Sequence, residues 1–227
     1  MTSKDAQPPV FERPSRSSAG AGVVVHLAGI GMGANLGHRE RTLLAAWHEL
    51  TEASGVRGRE FSSPYVSAPL DMQSENTFLN AVGLVETTLS PPALLHLLLD
   101  IEARHGRRRD PQARGYQDRP LDLDLLLVDD LCLRAPDLVL PHPRQHERLF
   151  VLEPLAEIMP EWRHPTLGRS VRELRDLVRR QGGQRLRRVR WSSAENARAE
   201  ACRFPFVRLQ CGHTKRQPDI TTTEETP

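Results

Sequence analysis

A chain of 227 residues with 38% hydrophobic and 5% aromatic content can bury the core of one domain with tails, or of two very small domains. Its formal net charge of +2 hides local asymmetry, because arginines crowd residues 104–119 and 172–190, so charge alone excludes no class of partner. Cys132, Cys202 and Cys211 form no disulfide framework, and the apolar run Val23–Ala34 starts too late and is too broken by His26 and glycines to be a targeting peptide or membrane span; a soluble cytoplasmic protein is expected.

In chain order, residues 1–20 are rich in Pro, Ser and Ala without periodicity and read as a disordered leader. Residues 23–28 form a short buried strand that runs into a flexible glycine turn from Gly29 to Gly37. Leu43, Leu44, Trp47 and Leu50 recur at helical spacing, which predicts a helix over about 38–53. A second strand covers about 59–66, residues 67–76 are a loop, and 78–87 is a third strand. Ser90 followed by Pro91 and Pro92 marks a helix start, with Leu94, Leu97, Leu98 and Ile101 as its buried stripe and Gly106 as its stop. After the arginine-rich segment 107–118 comes a fourth strand, Arg119–Val128.

This order, β-α-β-β-α-β, is the split βαβ pattern of an α+β, ferredoxin-like fold with an antiparallel sheet and helices packed on it. Further helices are expected over 148–158 and 170–181. The sequence beyond about 185 is polar and aperiodic, so the expected division is a leader to residue 20, a domain over 21–184 and a poorly ordered tail over 185–227.

The fourth strand carries the chemistry. Asp122 and Asp124 alternate with Leu121, Leu123 and Leu125, so the two carboxylates share a face with Cα atoms about 7 Å apart. Leu125 to Val128 is apolar on both faces, and like charges entering so buried a strand are costly unless something positive lies between them. Paired carboxylates at this spacing are the hard-oxygen donors that magnesium takes. Arginines on both sides, Arg107 and Arg109 before it and Arg119 at its start, suit phosphate oxygens, and the combination points to phosphoryl transfer. Two other readings fit parts of the chain. Gly29-x-Gly31-x-x-Ala34 fits a dinucleotide fingerprint, but two strands follow one another without an intervening helix. An RNA-binding ferredoxin-like module would display stacking aromatics on its central strands, whereas this strand displays carboxylates. Cys202, Cys211 and His213 are too irregularly spaced to form a metal cluster.

The combination of Gly33-Ala34-Asn35-Leu36-Gly37, Phe78-Leu79-Asn80-Ala81, Glu102 with Gly106-Arg107-x-Arg109, Arg119-Pro120-Leu121-Asp122-Leu123-Asp124-Leu125, and Pro141-His142-Pro143 with Arg148-x-Phe150 resembles the 6-hydroxymethyl-7,8-dihydropterin pyrophosphokinases of folate biosynthesis. The resemblance runs from about Val23 to Trp162. It implies transfer of diphosphate from ATP to a pterin hydroxymethyl oxygen with release of AMP, assisted by two magnesium ions on Asp122 and Asp124. It further implies that Arg107, Arg109 and Arg119 contact phosphates, that Glu102, Tyr116, Leu125, His142 and Arg148 serve the nucleotide, and that loop 107–118 closes over it. Asn80 would hydrogen-bond the pterin, stacked between Phe78 and Phe150, with the backbone of Ala68, Pro69 and Leu70 completing the pocket. The implied partners are these two small molecules, with no nucleic acid or membrane, and the implied state is a monomer. Ala34 stands where the family often has serine, Phe78 where tyrosine is common, Tyr116 where tryptophan occurs and Asp137 where some members have arginine.

Overall fold

The first strand does not stop at the glycines. In the computed structural model, which describes residues 23–70, 74–108 and 117–192, β1 runs from His26 to Ala34. Gly29, Gly31 and Gly33 lie inside it, and the first glycine with a positive φ is Gly37, at 62°. Residues 29–34 of the expected glycine turn are therefore strand, with only 35–37 outside it, and the dinucleotide reading falls with it. The glycines recur with period two and strip one face of β1 of side chains. Cβ atoms there would approach Leu127 to 3.1 Å at Gly29 and Leu126 to 3.2 Å at Gly31. Close packing of strand against leucine, not backbone freedom, is what these glycines provide.

The remaining elements follow in order: α1 (Arg39–Glu52), β2 (Val56–Phe61), β3 (Tyr65–Ser67), β4 (Phe78–Thr87), α2 (Pro91–Arg104), β5 (Asp122–Val128), β6 (Leu133–Arg134), β7 (Val139–Leu140), α3 (Leu149–Ile158), α4 (Val171–Gln181) and β8 (Leu186–Arg188). The main sheet has the order β5-β1-β4-β3-β8, with β2 also paired to β4 and every pairing antiparallel. The single strand expected over 59–66 is broken between β2 and β3. Pro64 has no N–H for a ladder, and Ser62 takes over by donating its N–H to Val82 O and accepting the Val82 N–H on its hydroxyl. Counting β2 and β3 as one interrupted strand, the β-α-β-β-α-β units form the ferredoxin-like arrangement, with the first and third strands central.

Two apolar layers sandwich the sheet. Leu43, Trp47, Leu94, Leu98 and Ile101 from α1 and α2 pack on one face with Leu121, Leu123 and Leu125. Leu152, Leu155, Leu174 and Val178 from α3 and α4 pack on the other with Val82, Leu126 and Leu127. A bulge explains why Leu126 and Leu127 both face α3. The register passes from Gly29↔Leu127 to Ile30↔Leu125, which leaves Leu126 extra. Upstream of the bulge the alternation holds, so Asp122 and Asp124 emerge on the α3 side while their neighbouring leucines enter the other layer.

Helix ends follow the local chemistry. The Ser90 hydroxyl accepts from Ala93 N–H ahead of Pro91, and Gly106 at φ 84° lies just past the end of α2. Ser170 and Glu173 form a capping box on α4.

The domain boundary expected at 184 lies too early. β8 pairs with β3, Tyr65 opposite Arg188, and Val189 N–H reaches Pro64 O. Trp191 then stacks on Phe61 at 5.1 Å between centroids, and Phe61 stacks on Trp47 at 4.7 Å. The leader and residues 193–227 lie outside the described residues. Among the described residues no helix is long and apolar enough to cross a membrane.

Trp47 can lie against β4 because residue 83 is glycine: a Cβ there would stand 2.2 Å from Trp47 Cζ3. The indole is fully buried and stacked, so it cannot swing aside. Gly83→Ala should therefore destabilise the fold by about 3 kcal/mol, the upper end of ordinary overpacking costs, read as a lowered urea midpoint at unchanged slope.

Candidate active site

A pocket opens on the α3 face where β1, β3, β4 and β5 meet the start of α3, and Asp122, Asp124, Arg119, Arg148, Asn80, Phe78 and Phe150 all line it. Ala68 and Leu70 belong to its wall, whereas Pro69 does not. Chain separations of dozens of residues are thus closed by the sheet. β4 contributes Phe78 and Asn80 on alternate positions of one face, and β5 contributes the two carboxylates in the same way.

Asn80 is buried and oriented. Its Nδ2 donates to Ser67 Oγ at 3.0 Å and more weakly to Tyr65 O at 3.4 Å. A carbonyl can only accept, so the amide nitrogen must face β3 and Oδ1 must face the other way, toward Gly33. An acceptor is therefore presented to the cavity. Each aromatic has a guanidinium over its ring: Arg119 lies 5.6 Å from the Phe78 centroid and Arg148 lies 5.4 Å from that of Phe150.

The acidic pair is asymmetric. Asp122 is held by Arg119 at 2.9 Å and by Arg107, whose guanidinium also bonds Glu102. Burial disfavours the Arg107 charge, but Asp122 and Glu102 outweigh it and hold the guanidinium above its ordinary value. Asp124 is different. Burial first, and then the charge of Asp122, push its carboxyl from 3.8 up to about 6, against the opposing pull of Arg148 and Arg119.

The other expected site residues are placed unevenly. Glu102 is only 2% exposed and its carboxylate is turned to Leu123 N–H and Arg107, inside the protein. The Leu125 side chain packs in the α1–α2 layer, opposite the carboxylates, and does not line the pocket. His142 donates its backbone N–H to Leu126 O and accepts Arg144 N–H on Nδ1. Burial and then Arg148 lower its imidazole to about 4, so it is neutral at pH 7 with its proton on Nε2. It is not part of the pocket wall. Arg109 and Tyr116, with most of loop 107–118, lie outside the described residues.

Sequence reasoning missed Ser67, which fixes the Asn80 amide, and undervalued Asn35. The Asn35 side chain accepts Arg119 N–H at 2.7 Å and donates to Asp118 at 2.5 Å, and its backbone N–H bonds Arg119 O. This double clasp seats Arg119 beside Asp122. The alternation of glycines in β1 was the available signal for Gly31 and Gly33 as pocket floor.

Among the described residues no three His, Cys, Asp or Glu side chains gather into a metal-holding group. Two carboxylates alone suit a cation that completes its shell with water and ligand oxygens, as magnesium does. The raised Asp124 value supports that fit, since a cation between the two acids would offset both the burial that chiefly raises it and the repulsion from Asp122 that adds to it.

A family model described as 7,8-dihydro-6-hydroxymethylpterin-pyrophosphokinase (HPPK) matches residues 29–160, which include every pocket residue named above. The chain is similar to the 2-amino-4-hydroxy-6-hydroxymethyldihydropteridine pyrophosphokinase of Synechocystis sp., at 37% identity over 153 residues, 67% of this chain and 76% of the relative. The enzyme of the same name from Bacillus subtilis is 38% identical over 133 residues, 59% of this chain and 78% of the relative. Among solved structures, the wild-type HPPK-DHPS of Plasmodium falciparum superposes with a TM-score of 0.54 at 14% identity, covering 70% of this chain and 45% of that one, a likeness of fold. This chain belongs to the 7,8-dihydro-6-hydroxymethylpterin-pyrophosphokinase family.

Proposed function

We propose that this protein transfers diphosphate from ATP to the hydroxymethyl group of 6-hydroxymethyl-7,8-dihydropterin, releasing AMP, as a step of tetrahydrofolate biosynthesis. The observation that carries the reading is one pocket holding both an acidic pair flanked by guanidiniums and an oriented amide together with two aromatic side chains. The first half suits a phosphate chain with a divalent cation; the second suits a flat, hydrogen-bonding heterocycle.

Asn80 offers Oδ1 to the amino edge of the pterin, and Phe78 and Phe150 bracket its faces. That geometry aims the hydroxymethyl oxygen at the carboxylate side of the pocket. The oxygen attacks the β-phosphorus in line, the new O–P bond forms as the bond from β-phosphorus to the bridging oxygen breaks, and AMP leaves with that oxygen. Asp122 and Asp124 would hold magnesium, two ions on this reading. When bound, magnesium supplies Lewis acidity and a template for the phosphate oxygens. Arg119 and Arg148 offset charge on the transferred group. Asp122 is engaged by Arg107 and Arg119, and Asp124 would be engaged by the bound cation, so on this reading neither acid serves as the base and the hydroxyl proton passes to water. Arg107, expected on the phosphates, is engaged with Glu102 and Asp122, and its part is to hold the acidic pair. A cytoplasmic monomer acting on small molecules alone completes the reading, and size-exclusion chromatography with light scattering checks the oligomeric part.

The test is AMP formed from ATP with and without the hydroxymethyl pterin. Pterin-dependent AMP supports the assignment; AMP release indifferent to pterin would sink it. Asn80→Ala should raise the KM for pterin about 10- to 100-fold while changing that for ATP little, because a buried polar edge loses its partner. An equal loss for both substrates would make Asn80 a structural residue.

A further inference from the structure

Among the described residues β5 ends the sheet, and no described strand pairs with its outer backbone groups. One of them, Leu123 N–H, is nevertheless bonded at 2.7 Å, and its acceptor is the Glu102 carboxylate from the last turns of α2. The same carboxylate oxygen receives the Arg107 guanidinium, which in turn bonds Asp122 Oδ1. Glu102 is 2% exposed, and a buried carboxylate is retained at considerable cost unless it is fully engaged. Leu123 is the residue between Asp122 and Asp124. Fixing its N–H fixes the peptide that joins Asp122 to Leu123 and with it the course of the strand into Asp124, and Arg107 fixes the Asp122 carboxylate a second time.

We infer that Glu102 is a positioning residue for the Asp122–Asp124 pair, acting through Leu123 N–H and Arg107, and that its carboxylate does not touch the nucleotide. The inference rests on the reading of this pair as the metal-holding centre. A helix end thereby replaces the missing strand along β5 at the residue where the spacing of the two acids is set. Partners of this kind behind metal-holding groups govern affinity by about 10–100-fold in other metal sites.

The experiment compares Glu102→Gln with Glu102→Ala in the full chain. Glutamine keeps an oxygen for Leu123 N–H, while alanine removes it. The first readout needs neither metal nor turnover: amide hydrogen exchange at Leu123 by NMR in the metal-free protein. Alanine should accelerate it at least tenfold relative to the β1-paired amides of β5, and glutamine should leave it near wild type. The second is the magnesium concentration for half-maximal AMP formation, expected to rise about 10–100-fold in the alanine variant with the pterin KM unchanged and the ATP KM at saturating magnesium within threefold. Unchanged exchange at Leu123 in the alanine variant would overturn the inference. So would a tenfold higher ATP KM at saturating magnesium in the glutamine variant, the mark of a direct nucleotide contact, and this variant decides the matter if the alanine protein does not fold. Wild-type protein that made no AMP would defeat the functional reading by itself, while the exchange result would still judge the Leu123 contact.

Discussion

Asp124→Asn should abolish turnover and, in the same molecule, make the metal-free protein more stable at neutral pH. Burial and the neighbouring Asp122 push the Asp124 carboxyl from 3.8 up to about 6. A folded-state value above the unfolded one means that the native protein holds this proton more tightly than the unfolded chain. The stabilisation from the protonated form is fully present below about pH 4 and is lost as pH rises through 6; above that the charged form remains a constant burden. A shift of roughly two units corresponds to about 2–3 kcal/mol, which asparagine removes while keeping the shape of the side chain. In a domain of this size the variant should melt about 5–10 °C above wild type at pH 7.5, and the difference should shrink toward pH 4. Magnesium should raise the melting temperature of wild type and do little for the variant. Thermal denaturation between pH 4 and 8, with and without magnesium, checks each part. A variant melting at or below wild type at pH 7.5 would refute the electrostatic account of the pair.

Trp191→Ala should cost about 3–5 kcal/mol, the range for a large aromatic removed from a core. The indole is 9% exposed, stacks as the third ring on Phe61 and Trp47, and donates Nε1–H to Ser62 O at 3.0 Å. Its loss leaves that carbonyl without its donor and a void beside Phe61, next to the break between β2 and β3. Urea denaturation followed by circular dichroism measures the effect. A change below about 1 kcal/mol would mean that residues 185–192 lie on the domain without belonging to it.

These results sort what could be read from the chain alone. The helices α1, α2 and α4 and the strand β4 were legible because apolar periodicity and capping chemistry agree within each segment, as at Ser90 and Gly106. The acidic pair was legible because alternation assigns a face without knowledge of the partners. β1 was misread because glycine carries both a turn signal and, at period two, a strand signal, and only the packing of Leu126 and Leu127 decides between them. β8 was missed because a three-residue edge strand flanked by arginines has no apolar pattern of its own; it exists through β3. Glu102 was singled out by resemblance, but its bond to Leu123 N–H has no signature in the sequence. Asn80 was expected to contact the pterin, yet the direction of its amide depends on Ser67 and Tyr65, brought beside it by the sheet.

The closure of β5 by side chains has a consequence for colloidal behaviour. Leu123 N–H is occupied by Glu102 and Leu126 O by the backbone of His142, so the outer edge of β5 offers little to an incoming strand. At the opposite end, β8 is short and displays the exposed arginines Arg187 and Arg188, which repel a second copy of themselves. The sheet is thus guarded at both margins against growth from molecule to molecule, and at β5 the guard is the same carboxylate that braces the acidic pair. Glu102→Ala therefore carries a second liability beside its higher magnesium requirement: a β5 margin whose Leu123 N–H has lost its acceptor and is open to an incoming strand.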